Sequence, residues 1–162
     1  MSATANMAKP PSNTDFMQLA LAQGRLALPE CLPNPPVGCV LVKDNVVISQ
    51  GYTQAPGLHH AEAMALSQLK NDCSGVTAFV TLEPCSFHGR TPSCALALIN
   101  SGVERVFVAL LDPDPRNSGA GIRMLRDAGI TVVVGLLAEK AAEDLTDFLV
   151  CGAGGSADCN DQ

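Results

Sequence analysis

Three metal-binding side chains are spaced along this chain in a way that restricts its fold more than any other feature. His60 precedes Glu62 by two residues, and Cys85 follows a proline and precedes a second cysteine, Cys94. Histidine and cysteine are ligands that Zn²⁺ prefers, and one His with two Cys leaves the fourth tetrahedral position open. An open position is typical of catalytic rather than structural zinc sites. The sequence therefore predicts a fold that brings these three side chains together beside Glu62.

Each of these residues also has an ordinary structural interpretation. His60 could cap a helix, and the cysteines could be buried apolar residues. For a single residue this interpretation is the better one, but the ordered set with Pro84 before Cys85 favours a metal site. His59 could compete as a ligand, yet the Ala-Glu pair that follows selects His60. The other cysteines lack ligand spacing among themselves, and Cys39 is expected in the core: Cys31, Cys39, Cys73, Cys151 and Cys159.

Hydrophobic periodicity predicts helices that alternate with strands after an opening hairpin. A first helix should start with Asn13 or Thr14 as its cap, and prolines should exclude regular structure until Val37. We predict strands at 37–42, 46–50, 76–82, 104–110 and 130–134. We predict further helices at 60–69, 93–100, 118–128 and 138–149. This order indicates an α/β fold with helices on both faces of a mixed sheet.

Length and composition are consistent with one domain. The chain has 162 residues, of which 47% are hydrophobic, enough for a single core. We assign residues 13–150 to this domain, with 1–12 as a disordered N-terminal tail. Residues 151–162 are mainly Gly, Ala, Ser and Asp, and we expect them to form a disordered C-terminal tail.

Charge and apolar pattern argue against two classes of partner. The formal net charge of −6 and only ten Lys and Arg argue against a nucleic-acid surface. No apolar run has the length of a membrane span, so we expect no membrane partner. Seven cysteines without a secretory leader indicate a reducing compartment, and we expect a cytoplasmic protein.

Longer motifs around the predicted ligands resemble a known family. The chain is similar to the deaminase domain of the bacterial riboflavin-biosynthesis bifunctional deaminase/reductase, in the cytidine deaminase-like superfamily. The eight residues between Cys85 and Cys94 are distinctive, because cytidine and tRNA deaminases typically carry Cys-x-x-Cys. The matching segments cover about residues 14–149 and lie at 33–40, 60–63, 81–94, 112–115, Gly119, Gly121 and 147–149.

The resemblance implies a fold and a reaction. The fold would be a three-layer α/β/α cytidine deaminase-like sandwich with a mixed five-stranded sheet. The reaction would be hydrolytic deamination of diaminohydroxyphosphoribosylaminopyrimidine in riboflavin biosynthesis, with release of ammonia. His60, Cys85 and Cys94 would hold Zn²⁺, and Glu62 would transfer protons as the catalytic residue.

The resemblance also implies substrate contacts and partners. Asn34, Arg90 and Asp112 lie where the family contacts its substrate, although Asn34 and Arg90 also suit a turn and a solvated loop. The family implies a homo-oligomer that binds a small-molecule aminopyrimidine. Its reductase domain usually begins soon after the position of Leu149, so a stand-alone deaminase with a separate reductase as its partner is an expectation.

Two substrate-contacting positions depart from the family. Thr53 and Phe87 stand where the family usually has histidines. Losing two polar donors leaves open a diverged paralogue that deaminates another amino-substituted pyrimidine, purine or pteridine. A second alternative is a non-catalytic domain that binds a separate reductase, but the intact Glu62 argues against it because a structural zinc site needs no such carboxylate.

Overall fold

Five strands form one mixed sheet in the computed structural model, which describes residues 10–69, 73–86 and 93–149. In chain order the elements are α1 Asn13–Leu26, β1 Gly38–Lys43, β2 Val46–Tyr52, α2 Ala61–Ser67, β3 Thr77–Leu82, α3 Cys94–Ser101, β4 Arg105–Leu110, α4 Ala120–Asp127, β5 Thr131–Val134, α5 Ala138–Leu145 and a 3₁₀ helix Thr146–Phe148. The strand order is β2-β1-β3-β4-β5. Strand β1 is antiparallel to both neighbours, and β3, β4 and β5 run parallel. The predicted mixed five-stranded α/β fold is confirmed.

The opening hairpin forms where the sequence predicts it. Asp44 and Asn45 join its strands, and both have positive φ, 54° and 63°. Two consecutive left-handed residues make the tight turn whose twist matches that of paired strands, and Asp and Asn tolerate this conformation well. The turn thus places β1 between β2 and β3, where nearly all of its side chains are buried.

Two groups of helices cover the sheet. Helix α1 packs on β1, β2 and β3 and also contacts α5, whereas α2, α3 and α4 contact one another in series. The core includes stacked rings of Phe79 and Phe107, with centroids 4.8 Å apart, and Phe16 of α1 lies 5.4 Å from Phe79. Burial of these aromatic surfaces supplies much of the packing that fixes α1 on the sheet.

Two predicted helix ends were wrong. The cap of α1 is Ser12, not Asn13 or Thr14, because the Ser12 hydroxyl accepts from Asp15 N at 3.2 Å and the Asp15 carboxylate accepts from Ser12 N. The last helix ends at Leu145 and continues as one 3₁₀ turn. The predicted tails fall mostly outside the described residues and stay predictions. Within the described ranges, no helix is both long and apolar enough to cross a membrane.

Close backbone packing positions the helix that carries the predicted His-x-Glu pair. A Cβ atom at Gly51 of β2 would lie 2.5 Å from Ala61 O, at the start of α2. Only glycine allows such an approach without movement of the backbone. The start of α2 is therefore held directly against the sheet.

Candidate metal site and adjoining cavity

His60 stands at the N-terminal boundary of α2 with its imidazole unused by the helix. It is the N-cap residue, with extended backbone angles, but its side chain makes no capping hydrogen bond. Instead, His60 Nδ1 lies 3.3 Å from Cys94 Sγ. His60 therefore occupies the N-cap position as its capping interpretation expects, but its side chain does not cap the helix and lies beside Cys94 instead. His59 is exposed and is not part of this cluster.

The two cysteines reach the same point from β3 and α3. Cys85 follows the end of β3, and Cys94 is the first residue of α3, which Ser93 caps through Leu96 N at 3.1 Å. The amide of Cys94 donates to Cys85 Sγ at 3.2 Å. A helix N-terminus with free N–H groups favours a negatively charged sulfur.

Burial and mutual hydrogen bonds shift the pKa values of the four titratable groups in this cluster. Hydrogen bonds from the Cys94 thiol and amide and from His60 lower the pKa of Cys85 to about 4. The pKa of Cys94 is raised well above its usual value by its hydrogen bond with Cys85 and by burial. Burial, followed by the charge of Cys85, raises the pKa of Glu62 to about 7. The hydrogen bond with Cys85 raises the pKa of His60.

This donor set fits a zinc ion. The imidazole nitrogen and the two sulfurs all lie within 4.8 Å of one another, close enough for one cation to contact all three. No other group of three or more His, Cys, Asp or Glu in the described part of the chain meets this spacing. The hydrogen bond with Cys85 and burial disfavour the charged form of Cys94, and burial followed by the charge of Cys85 disfavours that of Glu62. A divalent cation would offset these effects by stabilising negative charge at the site.

Glu62 lies beside the donor atoms but is not one of them. Its side chain is only 4% exposed and hydrogen-bonds with Cys94. It also lines a cavity of about 360 Å³ whose wall includes His60, Cys85 and Cys94. A buried carboxyl group between a metal site and a cavity can transfer protons to and from a bound molecule.

Three of the five residues predicted from the sequence to contact the substrate line the cavity, and the other two lie outside the described residues. Asn34 lines the cavity at 6% exposure, and its side-chain amide has no protein partner among the described residues. Asp112 also lines it, with a pKa raised mainly by burial. Thr53 lines it too, but its hydroxyl accepts from Val37 N at 3.1 Å and donates to Val37 O at 3.4 Å. Arg90 and Phe87 lie outside the described residues.

Several cavity residues were not predicted from the sequence. Asp114 lines the wall and forms an ion pair with Arg116, which lowers the pKa of its carboxyl group. The 3₁₀ helix contributes Asp147 and Phe148. The Asp-Pro-Asp-Pro turn at 112–115 was a sequence signal that could have identified Asp114. The family-like segment 147–149 was the signal for Asp147 and Phe148, but no role was assigned to either residue from the sequence.

Comparison with known proteins supports the motif evidence. The cytidine and deoxycytidylate deaminase zinc-binding region matches residues 10–110. A riboflavin biosynthesis protein RibD from Actinobacillus pleuropneumoniae is 45% identical over 136 residues, which are 84% of this chain and 36% of that protein. A diaminohydroxyphosphoribosylamino-pyrimidine deaminase from Buchnera aphidicola subsp. Acyrthosiphon pisum is 42% identical over 79% of this chain and 87% of its own length.

A solved structure shares the architecture. It is a diaminohydroxyphosphoribosylaminopyrimidine deaminase/5-amino-6-(5-phosphoribosylamino)uracil reductase from Thermotoga maritima, with a TM-score of 0.79 and 39% identity. The match covers 83% of this chain and 39% of that one. The present chain thus spans well under half the length of the bifunctional relative and most of the length of the Buchnera deaminase.

Proposed function

The chain belongs to the cytidine and deoxycytidylate deaminase zinc-binding family, and we propose that it is a zinc-dependent hydrolytic deaminase of diaminohydroxyphosphoribosylaminopyrimidine. In this reaction water replaces the exocyclic amino group of the pyrimidine, and ammonia leaves. The names of the 42% identical Buchnera deaminase and the 39% identical Thermotoga protein include this substrate and support it. The residues around the cavity support the chemistry.

One observation carries the proposal: a buried, non-ligating Glu62 beside a three-donor site that opens on a cavity. His60, Cys85 and Cys94 would hold the zinc. When bound at such a site, zinc acts as a Lewis acid that lowers the pKa of a water molecule toward neutrality. A purely structural zinc would use four protein ligands and would not need Glu62. This argues against the non-catalytic alternative.

Glu62 would carry the protons of the reaction. It would accept a proton from the attacking water and deliver it to a ring nitrogen, then accept the remaining proton from the added hydroxyl group and deliver it to the departing amine. The carboxyl group is suited to this because Ala61 and Ala65 of its helix are fully buried, which fixes the helix against the sheet. A fixed donor and acceptor reduces the reorganisation needed at the transition state.

Asn34 is the best candidate among the described residues for recognition of the ring. It lies in the cavity wall, and its backbone N–H donates to Cys31 O at 2.8 Å, which fixes the loop. Its carboxamide has no protein partner among the residues that the structure describes, and it offers both a donor and an acceptor. An aminopyrimidine presents the complementary pattern of acceptor and donor groups at its edge.

A second candidate is a deaminase of an unphosphorylated pyrimidine, purine or pteridine. Among the described residues that line the cavity, the carboxylates of Asp112, Asp114 and Asp147 are present, and no Lys or Arg is. A phosphate group near Asp112 and Asp147 would be repelled, whereas the charge of Asp114 is offset by its ion pair with Arg116. Arg90, the residue expected to bind the phosphate, lies outside the described residues. The first candidate requires Arg90 to supply the positive charge that the described lining lacks.

Partners are part of the proposal. The Thermotoga relative carries a reductase activity in its name, so a reductase, separate or on the same polypeptide, would use the deaminated product. We also propose a homo-oligomer and a cytoplasmic location. Light scattering of the purified protein tests the first, and cell fractionation tests the second.

The experiment combines metal analysis with an ammonia-release screen. We expect about one zinc per chain, lost in Cys85→Ser, and ammonia release from the phosphorylated diaminopyrimidine. The screen includes its dephosphorylated form, cytidine, guanine and pterins. Activity only on an unphosphorylated base would replace the first candidate by the second. Zinc without activity on any of these compounds would favour the non-catalytic alternative.

A further inference from the structure

Asn117 is a fully buried polar residue that the proposed reaction does not use. It lies between β4 and α4, and its side chain is 0% exposed. Burying a carboxamide is costly unless its donor and acceptor groups are both satisfied. The partners of Asn117 therefore indicate what this residue contributes.

The side chain of Asn117 fastens the segment that contains Cys85. Its Oδ1 accepts from Ser86 N at 2.9 Å, and its Nδ2 donates to Pro84 O at 3.3 Å. The same Nδ2 lies 3.3 Å from Asp112 Oδ2 as a second acceptor. One side chain thus holds the residues on both sides of Cys85 and connects them to the cavity wall.

Glu83 reinforces the same connection from the preceding position. Its carboxylate accepts from the backbone N–H groups of Asp112 and Gly119 at 3.1 Å and of Ile122 at 3.2 Å. At Gly121 any Cβ atom would collide with Pro84 O, so the start of α4 lies directly on the turn before Cys85. Cys85 has little freedom to move relative to α4.

We propose that Asn117 is a positioning residue for the metal ligand Cys85, and that it couples this ligand to Asp112 in the cavity wall. The inference rests on the proposed zinc site. Cys85 lies on a loop rather than in a helix or strand, so its sulfur is positioned by the hydrogen bonds of its neighbours. Partners outside the ligand set that fix ligand orientation typically influence metal affinity by about 10–100-fold.

The test compares Asn117→Ala with Leu125→Ala in the zinc-loaded protein. Leu125 is a fully buried apolar residue of α4 in the hydrophobic core, so it controls for loss of stability. Zinc affinity is measured by competition with a chromophoric chelator, and geometry by the visible absorption of the Co²⁺-substituted protein. We expect Asn117→Ala to weaken zinc binding at least about tenfold and to change the Co²⁺ spectrum. Leu125→Ala should lower the melting temperature while leaving both readouts near those of the unmodified protein.

If the alanine variant fails to fold, zinc affinity is measured in Asn117→Asp instead. It keeps the size and the acceptor for Ser86 N, but it places an oxygen against Pro84 O and Asp112 Oδ2. We expect weaker zinc binding here as well. Zinc affinity within about twofold of the unmodified protein, or an equal loss in Leu125→Ala, would overturn the inference alone. An unmodified protein that binds no zinc would overturn the proposed function with it.

Discussion

The two sides of the cavity are built in different ways. On the metal side, His60 and Cys94 lie at the beginnings of two helices, and Cys85 follows the end of a strand. On the opposite wall, Asn34, Thr53 and Phe148 come from a proline-rich loop, the end of a hairpin and a 3₁₀ turn. The metal side depends on the starts of two helices and on one hydrogen-bonded turn that carries Cys85, whereas the opposite wall depends on how loops pack.

We infer from this difference that the metal side determines the reaction and that the opposite wall determines which substrate is bound. Helix starts and a turn fixed by buried hydrogen bonds hold the donor atoms in a fixed geometry, which a metal site requires. Loops can change sequence without disturbing the sheet, so the opposite wall can adapt to another ring or to the loss of a phosphate. Thr53 and Phe87, the two departures from the family pattern, both belong to predicted substrate contacts rather than to the ligand set.

The strongest test of the metal side is Glu62→Gln. The amide has the same shape but cannot accept a proton from water, so ammonia release should fall by about 10²–10⁴-fold. Zinc content, measured by elemental analysis, should stay at the level of the unmodified protein because Glu62 is not a donor in the three-atom group.

Glu143→Gln is the matched control, since this exposed residue of α5 lies away from the cavity. It should leave turnover unchanged. If Glu62→Gln released ammonia at nearly the unmodified rate, Glu62 would not be the proton carrier, and the division between a catalytic side and a recognition wall would have to be redrawn.

Contacts between residues close in the chain could be predicted from the sequence, whereas contacts made by tertiary packing could not. The helices and strands follow from local periodicity, because each depends on residues close in the chain. The predicted ligands His60 and Cys94 are 34 positions apart, but the two short motifs that contain them can be identified in the sequence. Asn117 is different: its bond to Ser86 joins residues 31 positions apart. Nothing local in the sequence specifies that contact. The end of α5 was mispredicted as well: the helix ends at Leu145, and residues 146–148 form a 3₁₀ turn that places Phe148 in the cavity lining.

The connection between the two sides is tested by Glu83→Gln. The carboxylate accepts three backbone N–H groups, and an amide can replace only one of its two oxygens as an acceptor. The NH₂ group would then face a backbone donor, and we expect a loss of about 1–3 kcal/mol in the free energy of unfolding. Chemical denaturation measures this, with Glu139→Gln on the exposed side of α5 as the control. Equal stability of the two variants would show that Glu83 does not fasten the Asp112 loop to the cysteine turn.

The recognition wall is tested by Asn34→Ala. The loss of hydrogen bonds to the substrate ring should lower kcat/KM by roughly tenfold, equivalent to about 1.4 kcal/mol, mainly through a higher KM. Steady-state ammonia release measures it, and Asn100→Ala, at an exposed position of α3, is the control. An unchanged KM with a large fall in kcat would instead place Asn34 with the catalytic group.

The smallest expected effect separates two roles for Thr53. Its hydroxyl bridges the N–H and C=O groups of Val37, so Thr53→Val should cost about 0.5–1.5 kcal/mol in unfolding free energy. The cost stays small because Val37 N also lies 3.0 Å from Pro35 O, which can retain the donor. If the hydroxyl serves only Val37, KM for the proposed pyrimidine should change less than twofold. A rise in KM at unchanged stability would instead make Thr53 a direct substrate contact, as its position in the sequence predicts. Thr131→Val, at an exposed position of β5, is the control for the chemical change, because there the same substitution removes a hydroxyl remote from the cavity.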